Sequence, residues 1–145
     1  MKILIDTNVI MDVLVKREPF YVDSARVWTL IRGKFIAGYL SAISINNLYY
    51  IVNKLQGQKI AESFVDQTLE DFEIVSLTKS ILKQARTIQK KDFEDLIQYF
   101  SALHEGCDFL VTRNKKDFPS IGIKIISPAE LLKRLEKVNK PKLTD

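Results

Sequence analysis

Apolar residues follow two different spacings along this chain. Short apolar runs with β-branched members, typical of buried strands, recur between longer segments whose apolar residues repeat at helical spacing. The strand-like runs are residues 2–5, 35–40, 72–77, 109–111 and 121–126. Strands interspersed with helices favour parallel pairing with helices packed on the sheet. The pattern therefore predicts an α/β protein, a three-layer α/β/α sandwich with a central, mostly parallel sheet.

The segments between these runs carry helix start and stop signals. Apolar periodicity predicts helices after Asp6, over 21–31, from a Ser44 cap to about residue 55, over 60–69, and after Thr78, Asp92 and Ser127. The last of these has Pro128 at its first position and Glu130 in a capping box. With 145 residues and no repeat, we expect one domain over residues 1–138, followed by a basic, flexible tail at 139–145.

Composition narrows the class of protein. Hydrophobic residues make up 46% and charged residues 28%, as in ordinary globular domains, and the net charge of +4 suits a nucleic-acid partner without requiring one. The lone cysteine, Cys107, excludes an intrachain disulfide and favours a reducing cytoplasm. Because Asp6 interrupts the first apolar run, we expect no signal peptide, and no run approaches the length of a membrane span.

Polar oxygen-bearing residues follow several of the predicted strands or begin helices. Asp6 follows the first strand, Asn47 lies early in a helix, Asp95 lies in a first helical turn, and Asn114 and Asp117 follow the fourth strand. The carboxyl ends of parallel strands meet at one sheet edge, where sites are usually built. Two carboxylates about 4 Å apart repel by roughly 4 kcal/mol at an effective dielectric of ~20. Since a cation removes this repulsion, the sequence predicts a site for Mg²⁺ or Mn²⁺.

Each of these residues also has an ordinary structural role. Asp6 is a good helix N-cap, Asp95 complements a helix dipole, and Asn47 is a weak capping partner. Asn114 and Asp117 suit a turn. Their placement at neighbouring strand and helix ends favours the site over five separate structural roles.

Three short motifs, taken together, resemble a known family. Residues 4–10 (LIDTNVI), 93–95 (FED) and 112–118 (TRNKKDF) resemble, in order and separation, the motifs of PIN-domain ribonucleases, especially the VapC-like toxins of toxin–antitoxin pairs. The resemblance covers about residues 2–132. It implies a PIN-like fold and a Mg²⁺-dependent endoribonuclease that hydrolyses RNA phosphodiester bonds. It further implies a homodimer and an antitoxin protein as partner.

The resemblance also assigns roles to individual residues. Asp6, Asp95 and Asp117 are the implied catalytic acids and metal ligands, with Asn47 and Asn114 as neutral oxygen donors. The family usually carries Glu at the position of Asn47 and often Asp at that of Asn114. The two amides add no charge, which lowers the expected metal affinity and favours one Mg²⁺ over two. The implied contacts to RNA come from Thr7, Asn8, Arg113, Lys115 and Lys116.

Other functions remain open at this point. The two amides favour a catalytically inactive PIN fold that binds RNA or a protein. A haloacid-dehalogenase-like phosphatase would need an Asp two residues after Asp6, where this chain has Asn8. A receiver domain would need a strand-end Asp in mid-chain, and residues 72–77 supply none.

Overall fold

The computed structural model describes residues 1–139. Its strands are β1 (Lys2–Ile5), β2 (Ala37–Ser41), β3 (Glu73–Val75), β4 (Phe109–Val111) and β5 (Lys124–Ile126). Its helices are α1 (Thr7–Leu14), α2 (Tyr21–Arg32), α3 (Ala42–Gln56), α4 (Gln58–Asp71), α5 (Lys79–Thr87), α6 (Phe93–His104) and α7 (Pro128–Asn139). A 3₁₀ turn spans Lys115–Asp117. Within this part of the chain no helix is long and apolar enough to cross a membrane.

The five strands form one parallel sheet in the order β3-β2-β1-β4-β5. Ile5 pairs with Val111, and Ser41 pairs with Val75, so the carboxyl ends of β1 to β4 lie along one edge. This arrangement confirms the predicted α/β/α sandwich. It also means that Asp6, directly after the central strand β1, begins a helix at the middle of that edge.

The sheet separates two apolar cores, because successive side chains of a strand point to opposite faces. Ile3 and Ile5 pack into a core with residues of α1 to α4 and α7. Leu4 faces the other core, which holds residues of α5 and α6. Strands covered on both faces are uniformly apolar, and this explains why β1 and β4 were recognisable from short apolar runs alone.

Several element boundaries differ from the sequence prediction. β2 begins at Ala37, paired with Lys2, and Phe35 is 79% exposed. Ile121 is 78% exposed and lies outside β5. Apolar residues in turns extended both predicted strands, because an exposed Phe or Ile is indistinguishable from a buried one in a short run. The strand predicted over 72–77 shortens to Glu73–Val75, because Phe72 is buried at the end of α4 and Leu77 is exposed.

The predicted helix caps have mixed outcomes. Thr78, Asp92 and Ser127 each accept a backbone N–H of their helix through the side chain, as predicted. Ser44 was wrong as a cap: α3 begins at Ala42, directly after β2. Ser44 is instead buried within the helix, where its hydroxyl bonds to Thr7. Asn139 ends α7, and the rest of the predicted tail lies outside the described residues.

Candidate functional site

A cleft of about 520 Å³ opens at the carboxyl edge of the sheet, between the starts of α1 and α6 and the side of α3. Five of the predicted site residues line it: Asp6, Thr7, Asn8, Asn47 and Asp95. Five residues that were not predicted also line it: Tyr50, Ile51, Asp92, Glu94 and Gln98. The sheet topology thus brings together residues from three separate stretches of the chain.

Asp6 is the innermost acid, with only 2% of its surface exposed. It caps α1 by accepting the Asn8 N–H at 3.4 Å, so its ordinary structural role is real. Its other carboxylate oxygen accepts the Thr112 hydroxyl at 2.8 Å. The Thr112 hydroxyl in turn accepts the Asn114 N–H at 3.1 Å. This chain of bonds joins the ends of β1 and β4 and fixes the direction of the Asp6 side chain.

The first turns of α1 and α6 are joined by polar contacts. The side-chain oxygen of Gln98 accepts the Thr7 N–H at 3.0 Å, and Gln98 is fully buried. The Thr7 hydroxyl lies 2.7 Å from the Ser44 hydroxyl and donates to Glu94 at 3.3 Å. These bonds hold α1, α3 and α6 together around the cleft, which positions Asp95 on the wall facing Asp6.

The cleft is strongly acidic, since four carboxylates line it and no Lys or Arg among residues 1–139 does. Burial raises the pKa of Asp6, although hydrogen bonds from Thr112 and Asn8 oppose the increase. Burial raises the pKa of Asp95 to about 7, with further contributions from the charges of Asp6, Asp92, Asp117 and Glu94. A carboxyl group with this pKa is disfavoured in its charged form, first by burial and then by the neighbouring negative charges.

The donor set fits a hard divalent cation. Asp6 and Asp95 supply charged oxygens, Asn47 supplies a neutral one, and nearby acids add negative charge. Within residues 1–139, however, no three His, Cys, Asp or Glu side chains are close enough to form a preassembled metal cluster. The cleft therefore offers two carboxylates in one lining, with further acids nearby, which suits an oxygen-binding ion that retains several waters, as Mg²⁺ does.

The raised pKa of Asp95 predicts how stability depends on pH without metal. Folding raises this pKa from its ordinary value of 3.8 to about 7, so protonated Asp95 favours folding. This stability is fully present below about pH 4 and is lost as the pH rises through about 7. Asp95→Asn should then stabilise the metal-free protein at neutral pH by roughly 1–2 kcal/mol, a figure reduced for solvent screening at a half-buried site.

Urea unfolding in EDTA across this pH range measures the effect. The advantage of Asp95→Asn over the parent should shrink towards acid pH, and addition of Mg²⁺ should reverse its sign. A variant that is less stable than the parent at neutral pH in EDTA would show that Asp95 is not under repulsion.

The remaining predicted acid and amide lie outside the cleft. Asp117 is exposed in the 3₁₀ turn. Its negative charge acts on the cleft without direct contact and contributes to the raised pKa of Asp95. The backbone of Asn114 donates to Thr112 and accepts from Asp117. Direct metal ligation by either residue stays a prediction.

The predicted RNA-binding cations are partly engaged elsewhere. Arg113 donates to Asp12 at 2.8 Å and lies over the Phe20 ring. Lys115 forms an ion pair with Glu130. The backbone carbonyl of Lys116 accepts the Lys91 ammonium at 2.5 Å. The structure thus places Arg113 in a structural ion pair, and contact of these three residues with RNA stays a prediction.

Sequence reasoning missed Gln98, Thr112 and Glu94 as site residues. Gln98 is fully buried in α6 but lies outside the apolar stripe that periodicity gives for this helix, so the sequence carries no clear signal for it. Thr112 immediately follows β4, as Asp6 follows β1, and the same strand-end argument applies to it. Glu94 lies beside Asp95 within the motif at residues 93–95.

Comparisons with known proteins agree with this fold. Ribonuclease VapC1 from Aquifex aeolicus (strain VF5) is 28% identical over 138 residues, covering 92% of this chain and 94% of the relative. VapBC-1 from nontypeable Haemophilus influenzae has a TM-score of 0.68 at 20% identity, with 89% of this chain and 99% of that chain covered. A toxin–antitoxin complex from Klebsiella pneumoniae has a TM-score of 0.65 at 19% identity, with 86% and 96% covered. At these identities the solved structures show a shared fold. Residues 2–116 match the PIN domain, and the chain belongs to the PIN-domain family.

Proposed function

We propose that this chain is a divalent-metal-dependent endoribonuclease. The observation that carries the proposal is the placement of Asp6 and Asp95 in one cleft that no basic residue of the described chain lines. Their mutual repulsion contributes to raising the pKa of Asp95 to about 7, and a bound cation would remove that repulsion. The likeness to a protein named a ribonuclease, over nearly the full length of both chains, supports this function over other metal-dependent activities.

Some residues of the cleft would bind the metal ion, and others position those ligands. Asp6 and Asp95 would hold Mg²⁺ or Mn²⁺, with Asn47 as a neutral donor and Asp117 contributing charge from outside the cleft. The metal would supply Lewis acidity and activate a water for in-line attack on phosphorus. Thr112 orients Asp6 through its 2.8 Å bond, and Gln98 fixes the start of α1. Thr7 and Asn8 lie at the same helix start and would contact the substrate through their side chains, because Gln98 and Asp6 already accept their backbone N–H groups.

Cleavage of a labelled structured RNA tests the function. The full chain should cut the RNA with Mg²⁺ or Mn²⁺ and should stop when EDTA is added. Absence of cutting with RNA binding intact would support the alternative, a catalytically inactive PIN module that binds RNA or protein. The amides at Asn47 and Asn114 and the lack of a preassembled three-acid cluster in residues 1–139 favour that alternative.

Asn47→Glu should strengthen metal binding, because Asn47 lines the cleft and the new carboxylate would face it. At an effective dielectric of ~20 the added charge should raise Mn²⁺ affinity about tenfold, which titration calorimetry measures. Asn114→Asp should have a smaller effect, since Asn114 does not line the cleft.

Asn46→Glu is the matched control for this prediction. Asn46 is the preceding residue of α3, is exposed, and lines a different cavity. The same change of charge there should leave Mn²⁺ affinity within about twofold of the parent, as expected for a screened surface charge. Equal gains from Asn46→Glu and Asn47→Glu would mean that total charge, and not a ligand in the cleft, controls affinity.

The proposed biological role is that of a toxin controlled by an antitoxin protein. The toxin–antitoxin complex of K. pneumoniae shares the fold of this chain, which supports such a partner. We further propose a homodimer of single-domain chains, with residues 1–138 as the domain, acting in the cytoplasm. Co-expression with the product of a neighbouring small reading frame, followed by co-purification, tests the partner. Light scattering tests the dimer.

A further inference from the structure

A short, acid-free basic segment of the described chain leads into the rim of the acidic cleft. Residues 79–91 contain Lys79, Lys83, Arg86, Lys90 and Lys91 and no acidic residue. The whole chain has a net charge of +4, so this segment accounts for the entire positive excess. We call these five residues the basic stripe. They are all exposed.

Helix α5 carries three of the five stripe residues on its exposed face. Ile81 and Ala85 are each 1% exposed and pack into the core beside α6, which leaves Lys79, Lys83 and Arg86 at i, i+4 and i+7 on the opposite side. Along the helix axis these three cations span about 10 Å, the rise of roughly three stacked nucleotides. Their spacing therefore suits a nucleic-acid backbone.

Both ends of the segment return to the sheet edge that carries the cleft. Lys79 begins α5 a few residues after β3 ends, and Val75 of β3 pairs with Ser41 at that edge. Lys91 immediately precedes Asp92, which lines the cleft, and the Lys91 ammonium contacts the Lys116 carbonyl at 2.5 Å. A polyanion bound along the stripe would therefore reach the edge that carries the cleft at the Lys79 and Lys91 ends.

Folding stability does not account for the stripe. The first turn of α5 has a lysine and no acidic residue, which opposes the helix dipole. Lys79 and Lys83 repel one another at i, i+4 spacing. Within residues 1–139 none of the five side chains forms an ion pair with an acid. Lys79 and Lys83, two exposed cations that weaken their own helix, are better explained by a ligand that supplies negative charge.

We propose that the basic stripe binds the phosphodiester backbone of the RNA substrate and directs the strand into the acidic cleft. This proposal depends on the proposed function, because the stripe would serve the same site. Backbone contacts of this kind supply affinity and strand placement but read no sequence, so the stripe would set substrate affinity and leave the choice of cleaved bond to the cleft.

The test compares two matched pairs of substitutions in the full chain. Lys79→Gln/Lys83→Gln removes two stripe cations, and Lys133→Gln/Lys137→Gln removes two lysines at the same i, i+4 spacing on α7. Helix α7 packs into the core on the opposite face of the sheet, and both of its lysines are exposed. Glutamine is a good helix former, so both variants should fold. Thermal unfolding checks this, and the stripe variant should be at least as stable as the parent.

The first readout is binding of a short, labelled, single-stranded RNA in EDTA, where metal-dependent cleavage cannot occur. The stripe variant should bind about tenfold more weakly, and the slope of log affinity against log salt should fall by about 1.4, or roughly 0.7 for each lost contact. The α7 variant should bind like the parent. Equal losses in both variants, no loss in the stripe variant, or no RNA binding by the parent would each overturn the proposal.

The second readout is cleavage with Mg²⁺, where the stripe variant should show a raised KM and an unchanged kcat. This separates the two proposals. RNA binding that depends on the stripe, with no cleavage by any variant, would reject the nuclease and retain the stripe as an RNA surface. Cleavage with an unchanged KM in the stripe variant would retain the nuclease and reject the stripe.

Discussion

Asp95→Asn should reduce metal-dependent RNA cleavage on the order of a hundredfold to a thousandfold, the range seen when one preorganised charge-stabilising group is removed from an active site. Asparagine keeps the shape of the side chain and an oxygen donor but removes the negative charge. Because the pKa of Asp95 is raised by burial and by the charges around it, the neutral side chain should be accepted without loss of folding. Loss of activity together with retained or increased stability is the expected signature of a metal ligand.

Asp6→Asn should give a similar loss of cleavage. The amide oxygen can retain one of the two hydrogen bonds from Thr112 and Asn8, because these donors bind different carboxylate oxygens of Asp6. Steady-state cleavage of labelled RNA at saturating Mg²⁺, with circular dichroism as a folding check, measures both variants. If elevated Mg²⁺ restores activity, the lost charge acted through metal affinity.

Asp66→Asn is the matched control for these two changes. Asp66 is exposed on α4 and lines a different cavity. The same loss of one negative charge there should leave cleavage unchanged within about twofold, as for a screened surface site. Cleavage that survives both Asp6→Asn and Asp95→Asn would exclude this cleft as the active site and would point to a contaminating nuclease.

The parts of the site that were predictable from sequence are those set by local position. Asp6 ends an apolar strand, and Asp95 lies in a first helical turn, so their roles follow from neighbours within a few residues. The same local logic identified the parallel sheet, since uniformly apolar runs mark strands that are covered on both faces. It failed where an exposed apolar residue, such as Phe35 or Ile121, extended a run beyond the paired strand.

The parts that were not predictable depend on contacts distant in sequence. Thr112 meets Asp6 across 106 residues, and Gln98 meets Thr7 across 91. Ser44 was assigned to a cap because local sequence cannot show that Thr7 lies beside it in the fold. Periodicity gives no information on which helix start faces which strand end. Gln98 positions the start of α1 only because α6 packs over β1 and brings its side chain to Thr7.

The Arg113–Asp12 pair shows the same limitation with a larger energetic consequence. Arg113 was predicted to bind RNA because it lies in a basic run, but its guanidinium reaches back to a fully buried acid on α1. Asp12 also pairs with Arg17 at 3.2 Å. This buried carboxylate joins α1 to the loop after β4, the same two elements that the Thr112–Asp6 bond connects at the cleft.

Asp12→Ala should therefore destabilise the fold strongly. The change leaves the partly buried Arg113 without its carboxylate partner, and breaking a buried ion pair in this way costs about 3 kcal/mol or more. For a domain of this size the loss corresponds to a fall in Tm of about 10 °C, which calorimetry measures. Because the loop after β4 also carries Thr112, cleavage should weaken even at temperatures where the variant remains folded.

Two comparisons separate the buried pair from ordinary surface charge. Glu136→Ala breaks the Arg26–Glu136 contact, in which both side chains are more than half exposed, and should change stability by less than about 1 kcal/mol. The double variant Asp12→Ala/Arg113→Ala should lose less than the sum of the two single variants, because neither charge is left without its partner. Strict additivity would mean that the two side chains stabilise the fold independently, and the proposed link between α1 and the β4 loop would then be wrong.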